Sequence, residues 1–250
     1  MMKPTEKKKS RKAKLEKTAY FLSKKVGRAI ADYGMINDGD RILVAVSGGK
    51  DSLSLLKILD DRRSFVPITY ELVAVYIDMG DYHINAKRLA GYFKKHGYKY
   101  HIKKIRILKG KGRADISCFW CAWNRRKALF NAAEEYGCNK VALGHHKDDI
   151  IETILMNIFF NGEISAMGPK QELFKGKIAI IRPLAYAQEK EIVHFSRLID
   201  FPHSKCRCPN SSTSQRAKMG VLIRALEKMC PNVKSNIFNS VKRIKKEYLL

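Results

Sequence analysis

Arg41-Ile42-Leu43-Val44-Ala45-Val46-Ser47-Gly48-Gly49-Lys50-Asp51-Ser52, followed by Leu53 to Leu59, is the stretch on which the fold turns. Residues 41–46 are mostly apolar β-formers, the pattern of a strand buried on both sides. They run directly into Ser-Gly-Gly-Lys-Asp-Ser and then into a helix. Gly48 and Gly49 let the backbone come close to an anion. The helix start aims its free amide groups and positive dipole end at that anion. Ser47 and Ser52 add hydroxyl donors, and Lys50 adds a charge. Asp51 is out of place in a loop that only binds phosphate, but a carboxylate beside phosphates is explained if it holds Mg²⁺. An ordinary glycine turn would need none of these four side chains. The loop is not a Walker loop, in which four residues separate the glycines and Lys-Ser/Thr follows.

The same alternation runs outward in both directions. Residues 5–33 read as one helix, lysine-rich at first and then apolar at Ala19, Leu22, Val26, Ala29 and Ile30. Strands are expected at 71–77, 100–105, 141–143 and 177–181, the last ended by Pro183. Helices are expected at 83–96, 119–136 (closed by Gly137), 148–160 and 188–199, with a basic, glycine-containing loop at 106–117. Strands alternating with helices imply an α/β fold, a Rossmann-like doubly wound parallel sheet covered on both faces. Its ligand belongs at the carboxyl ends of the strands, near a reversal of strand order. After residue 200 the β signal stops, and a cysteine loop precedes helices at 214–229 and 233–247. The chain divides into a basic helical extension at 1–35, a nucleotide-binding domain at 36–200, and the cysteine loop with basic helices at 201–250.

A second polar cluster, Leu143-Gly144-His145-His146-Lys147-Asp148-Asp149 with Glu152 and Thr153, again stands where a strand leads into a helix. Asp149, Glu152 and Thr153 share one helical face. Carboxylates near phosphates can bind Mg²⁺ or orient a leaving group. Acids in a first helical turn are also simple caps. Beside the phosphate loop the functional reading is preferred, which makes Asp149 a candidate catalytic residue with Lys50 and Asp51.

Lys and Arg number 49 against 24 Asp and Glu, a formal net charge of +25. Residues 1–28 and 205–250 each carry net +9, so the excess sits at the two ends. Such a field draws in a polyanion and gains affinity by releasing counterions. Nucleic acid is the expected partner, in preference to a membrane surface. The lysines at the N-terminus are followed by no apolar core of a signal peptide. The uncharged run 153–162 is far short of the roughly 20 apolar residues of a membrane span. A cytoplasmic location without membrane association is expected.

Six cysteines include two tight pairs, Cys118-Phe119-Trp120-Cys121 and Cys206-Arg207-Cys208. The first pair opens a helix and is followed by Arg125-Arg126-Lys127. Its spacing can place both sulfurs on one metal or cluster, and the basic residues favour thiolate. Structural zinc, a redox pair, inert buried cysteine and an iron–sulfur cluster with one open iron all fit, and spacing does not separate zinc from iron–sulfur.

Ser47 to Ser52 matches the PP-loop motif of the ATP pyrophosphatases, and the Gly144–Thr153 cluster resembles a motif of the tRNA-modifying members. From about residue 20 to about 230 the chain resembles the TtcA family of tRNA 2-thiocytidine synthetases. Ile30-Ala31-Asp32, Asp38 to Ile42, Cys118-x-x-Cys121 with Arg125-Arg126, Ile181 to Tyr186, Phe201-Pro202, Cys206 and Gln215-Arg216 carry the likeness. The resemblance implies ATP at Ser47, Gly48, Gly49, Lys50, Asp51 and Ser52, with Asp78, Gly144, His145 and Asp148 also lining the nucleotide site, and Mg²⁺. It implies a 4Fe-4S cluster on Cys118, Cys121 and Cys206, and RNA contacts at Arg125, Arg126 and Lys127. Cys206-x-Cys208-Pro209 departs from the family's Cys-x-x-Cys followed by Gly, which leaves Cys208 as a bystander or a fourth ligand. The implied activity is adenylation of a pyrimidine C2 oxygen, cytidine 32 of tRNA, and its replacement by sulfur. The implied sulfur donor is a cysteine desulfurase or sulfide, and a homodimer is left open. Thiolation of a tRNA uridine, or RNA binding with structural zinc, are the alternatives. Trp120 and Trp123 are read either as stacking on a base or as helix packing.

Overall fold

The computed structural model describes residues 4–80, 86–105, 118–199, 201–202 and 215–248. Strand β1 (Asp40–Ala45) is apolar throughout its middle because both of its faces are covered: Ile42, Leu43 and Val44 have no exposed surface. The strands following it are β2 (Tyr70–Asp78), β3 (Tyr100–Lys104), β4 (Lys140–Ala142), β5 (Lys170–Leu173) and β6 (Ile178–Ile181). They form one sheet in the order β3-β2-β1-β4-β6-β5, parallel except for β5. β2 and β3 lie on one side of β1, and β4 and β6 on the other. The chain therefore reverses its direction of travel across the sheet between β1 and β4, where ligands bind in folds of this kind.

The helices are α1 (Pro4–Asp32), α2 (Lys50–Arg62), α3 (Ala86–Lys95), α4 (Cys118–Glu135), α5 (Lys147–Met156), α6 (Glu189–Leu198), α7 (Gln215–Met229) and α8 (Val233–Ser240). Side chains alternate between the sheet's two faces. Ile42, Val44 and Val46 face a core shared with α1, α2, α3 and α6. Leu43, Val73, Val75, Ile77 and Val141 face α4. A third cluster joins Ile150, Ile151 and Ile154 of α5 to Met219 and Ile223 of α7 and Phe238 of α8. Among the described residues no helix is long and apolar enough to cross a membrane.

The expected α/β alternation is present, with three differences. β5 is an additional strand, antiparallel to β6. Its sequence, Lys-Gln-Glu-Leu, is polar because it sits at the sheet edge, and the turn after it puts Phe174 and Lys175 at positive φ rather than the usual Asn-Gly. The helix expected at 148–160 is α-helical only to Met156. It continues as a π-helical turn, Asn157–Asn161, where Asn157 is pinned by its side chain to Ser165, and Gly162 closes it at φ 66°. The last helix stops at Ser240, ahead of the basic run from Lys242.

α1 illustrates how a lysine-rich segment becomes part of a core. Leu22, Val26 and Ala29 are at most 1% exposed. Lys25 pairs with Glu191 of α6 at 2.7 Å, and Arg62 of α2 donates to the Ser23 carbonyl at 2.8 Å. Leu22→Ala is therefore expected to lower unfolding free energy by about 2–5 kcal/mol, read from denaturant midpoints. An unchanged midpoint would make α1 an appended arm.

Candidate functional site

The loop between β1 and α2 is held by its own serines. Ser52 Oγ accepts from Ser47 N at 3.1 Å and donates to the Gly49 carbonyl at 3.1 Å, while Ser47 Oγ accepts from Gly49 N at 3.3 Å. Gly48 sits at φ 77°, a conformation that costs other residues energy. Lys50 Nζ stands 3.0 Å from Glu189 at the start of α6 and 3.1 Å from Asp51 Oδ1. Burial pulls the Lys50 ammonium down, but Asp51 and Glu189 outweigh it and hold its pKa above the usual value. Asp51 Oδ1 itself is buried and has no hydrogen bond, while Lys50 donates to the other oxygen, Oδ2, at 3.3 Å.

The end of β4 closes on this loop. A β-carbon on Gly144 would lie 3.0 Å from Ser52 N and 3.1 Å from Asp51 C, so glycine allows this approach without displacing the Asp51–Ser52 backbone. His146 stands between the two loops: its Nε2 is 4.0 Å from Asp51 Oδ1 and its Nδ1 is 3.3 Å from Asp149 Oδ2. Asp149 also caps α5, accepting from His146 N at 2.9 Å, so the capping role read from the sequence is realised. Burial pushes the His145 imidazole down to about 4, only partly opposed by Asp149, which leaves it neutral near pH 7.

Between these loops and α4 lies a cavity of about 300 Å³. Ser47, Asp51, Ser52, Gly144, His145 and Asp149 line one side, and Ala122, Arg125, Arg126 and Leu129 of α4 line the other. Asp78 ends β2 and accepts from Gly80 N at 3.1 Å. Its strand neighbours Tyr76 and Ile77, not Asp78, line the cavity. Asp148 is also turned away. It accepts from Glu189 N at 2.7 Å and pairs with Lys234 of α8 at 2.9 Å. Burial raises its pKa, but those two donors more than compensate and hold it low. Lys127 points outward, over the Trp123 ring. Cys121 is half-buried on α4, which begins at Cys118. Cys206 and Cys208 lie outside the described residues. Among the described residues no three His, Cys, Asp or Glu form a metal site.

Arg216 is the residue whose role is least visible in the sequence. It reaches from α7 onto the acidic face of α5, to Asp149 at 3.5 Å, Glu152 at 3.6 Å and Thr153 at 3.4 Å. Burial and the Asp149 charge push the Glu152 carboxyl up to about 7. Arg216 offsets this only in part, because it is shared between the two acids.

Residues 20–205 match the family model of the PP-loop domain. The chain is 44% identical to a tRNA-cytidine(32) 2-sulfurtransferase of Geotalea uraniireducens, over 92% of this chain and 93% of that one. It is 44% identical to the protein of the same name from Geobacter sulfurreducens, over 90% of each. In fold it is similar to the U34-tRNA thiolase NcsA of Methanococcus maripaludis, solved with its [4Fe-4S] cluster, at TM-score 0.75 and 22% identity, covering 94% of this chain and 81% of that one.

Two outcomes follow from this geometry. Gly144→Ala should push the Asp51–Ser52 backbone and weaken binding of an ATP analogue by about tenfold or more, with the fold retained; unchanged affinity by calorimetry would remove the steric argument. For Glu152, the folded pKa of about 7 exceeds the ordinary 4.5. The native state binds the extra proton between those values, so stability falls as pH rises through that window and stays lower above it. Glu152→Gln should match the parent protein in Tm near pH 4 and exceed it near pH 8. A lower Tm at the higher pH would contradict this.

Proposed function

The chain belongs to the PP-loop family and, within it, to the tRNA-cytidine(32) 2-sulfurtransferases, and from that membership we propose that it uses ATP to replace the C2 oxygen of cytidine 32 in tRNA with sulfur. The observation that carries this reading is one cavity shared by two motifs. A phosphate-type loop forms one of its walls, and the helix that bears Cys118 and Cys121 forms the other.

ATP would place its β and γ phosphates against Ser47 to Ser52, where the amides of the loop and the start of α2 face the anion. Lys50, held cationic by Asp51 and Glu189, stabilises the charge that develops on the phosphates. Asp51 has a buried oxygen without a hydrogen bond, and Asp149 faces the same cavity; these two carboxylates would hold a Mg²⁺, which would supply positive charge against the phosphates. The C2 oxygen of the base attacks the α phosphorus and pyrophosphate leaves. That oxygen, a poor leaving group before, now departs as part of AMP when sulfide attacks C2. Neutral His145 supplies an uncharged hydrogen-bonding edge in the cavity, and Arg125 and Arg126 supply positive charge opposite the loop.

Cysteines at i and i+3 of a helix start, followed by Arg125 and Arg126, have the donor chemistry of an iron–sulfur ligand pair. Cys118, Cys121 and Cys206 would hold a 4Fe-4S cluster, which when bound supplies an iron on which sulfide is kept deprotonated. The sulfide is free sulfide, or is released from the persulfide of a cysteine desulfurase by a thiol reductant that supplies two electrons and becomes a disulfide. Arg125, Arg126 and Lys127, with the basic ends of the chain, hold the tRNA backbone.

The nucleoside profile of tRNA tests the function directly: 2-thiocytidine should be present with the gene and absent without it, and an unchanged profile would refute the assignment. In the purified system Cys121→Ala should abolish thiolation while tRNA-dependent pyrophosphate release continues. Asp51→Asn should slow pyrophosphate release by at least about a hundredfold. Normal release by that variant would clear Asp51 of catalysis.

A further inference from the structure

The chain has two tryptophans, and both stand on the first turns of α4. Tryptophan is ordinarily well buried. Here Trp120 is 48% and Trp123 43% exposed, and Phe119 beside them is 77% exposed. The two indoles stack on one another, with centroids 5.4 Å apart and planes 15° from parallel. Lys127 Nζ sits 5.4 Å from the Trp123 ring centre, a cation held against the indole.

Helical spacing sets where this pair lies. Phe119, Trp123, Arg126 and Lys127 are three or four residues apart and occupy adjoining ridges of α4. Arg126 is exposed and at the same time lines the cavity, so it marks the cavity's rim. The ridge therefore continues from the rim onto the indoles without a break. Aromatic faces interleaved with Arg and Lys are the composition of surfaces that hold single-stranded nucleic acid: cations take the phosphates and rings take the bases. The net charge of +25 fits the same occupant.

Resting on the function proposed above, we propose that Trp120 and Trp123 form a stacking surface for an unpaired base of the RNA substrate, next to the one that enters the cavity. Lys127 supplies the neighbouring phosphate contact. Stacking needs unpaired bases, so this surface selects a loop over a duplex.

Because these are the only two indoles in the sequence, intrinsic fluorescence reports on them alone. The experiment titrates the full chain with an RNA stem-loop and with a fully paired RNA of equal length. Loop RNA should quench the emission and duplex should not. Trp123→Leu should bind the loop about tenfold more weakly, the factor given by about 1.4 kcal/mol for one lost stack. Its salt dependence and Tm should be unchanged, and Trp123→Phe should recover most of the affinity. Equal quenching by duplex, undiminished binding by Trp123→Leu, or an emission change that tracks protein concentration without RNA would overturn the proposal; the last would assign the surface to a second copy of the chain. RNA-dependent pyrophosphate release by the parent protein separates the two levels. Release without quenching defeats the stacking surface alone, whereas neither binding nor release defeats the functional reading as well.

Discussion

The site depends on the close approach of two loops, the one after β1 and the one after β4. Gly144, at the end of β4, rests against the peptide joining Asp51 to Ser52, and a β-carbon there would press on that backbone at 3.0–3.1 Å, so the peptide would have to give way. Parallel strands β1 and β4 are neighbours, so their carboxyl ends emerge together where the sheet reverses its order. Topology makes them adjacent, and Gly144 lets them touch. The contact brings His146 within 4.0 Å of Asp51 and puts Asp149 on the same cavity as the phosphate-type loop. Two motifs about a hundred residues apart thus become a single set of groups.

Charge balance ties the rest of the chain to that contact. α5 opens with Asp148 and Asp149 and carries Glu152 one turn later, a concentration of acid that self-repels when buried. The cations that answer it come from the C-terminal helices: Lys234 of α8 takes Asp148, and Arg216 of α7 takes Asp149 and Glu152. Apolar packing of Ile150, Ile151 and Ile154 against Met219, Ile223 and Phe238 holds these helices in place. The segment that follows the second cysteine pair is therefore anchored on the carboxylates beside the phosphate-type loop. This joins the two halves of the proposed chemistry through α5.

Much of this is legible in the sequence, for identifiable reasons. The run from Ile42 to Val46 reads as a doubly covered strand because no residue in it is polar, and the glycines and serines after it announce an anion turn. The edge strand β5 is not legible, because a polar tetrapeptide and a turn led by Phe174 resemble loop. Asp148 and Asp149 are neighbours with identical side chains, and helix geometry alone sends one toward Lys234 and the other toward the cavity. Arg216 stands in a basic stretch where one arginine resembles the next; its target is 63 residues away and becomes visible only when α7 lies along α5. Gly144 reads as part of a nucleotide motif, while its steric role requires knowing what stands opposite it.

The central claim is that the base, not water or a second ligand, attacks the α phosphorus within this cavity. Transfer of an isotopically heavy oxygen tests it most directly. tRNA carrying the label at C2 of the target cytidine is converted in a single turnover, and the products are weighed. The label should leave the RNA as sulfur enters and appear in AMP. Label found in water or pyrophosphate, or unlabelled AMP beside fully thiolated RNA, would contradict the account.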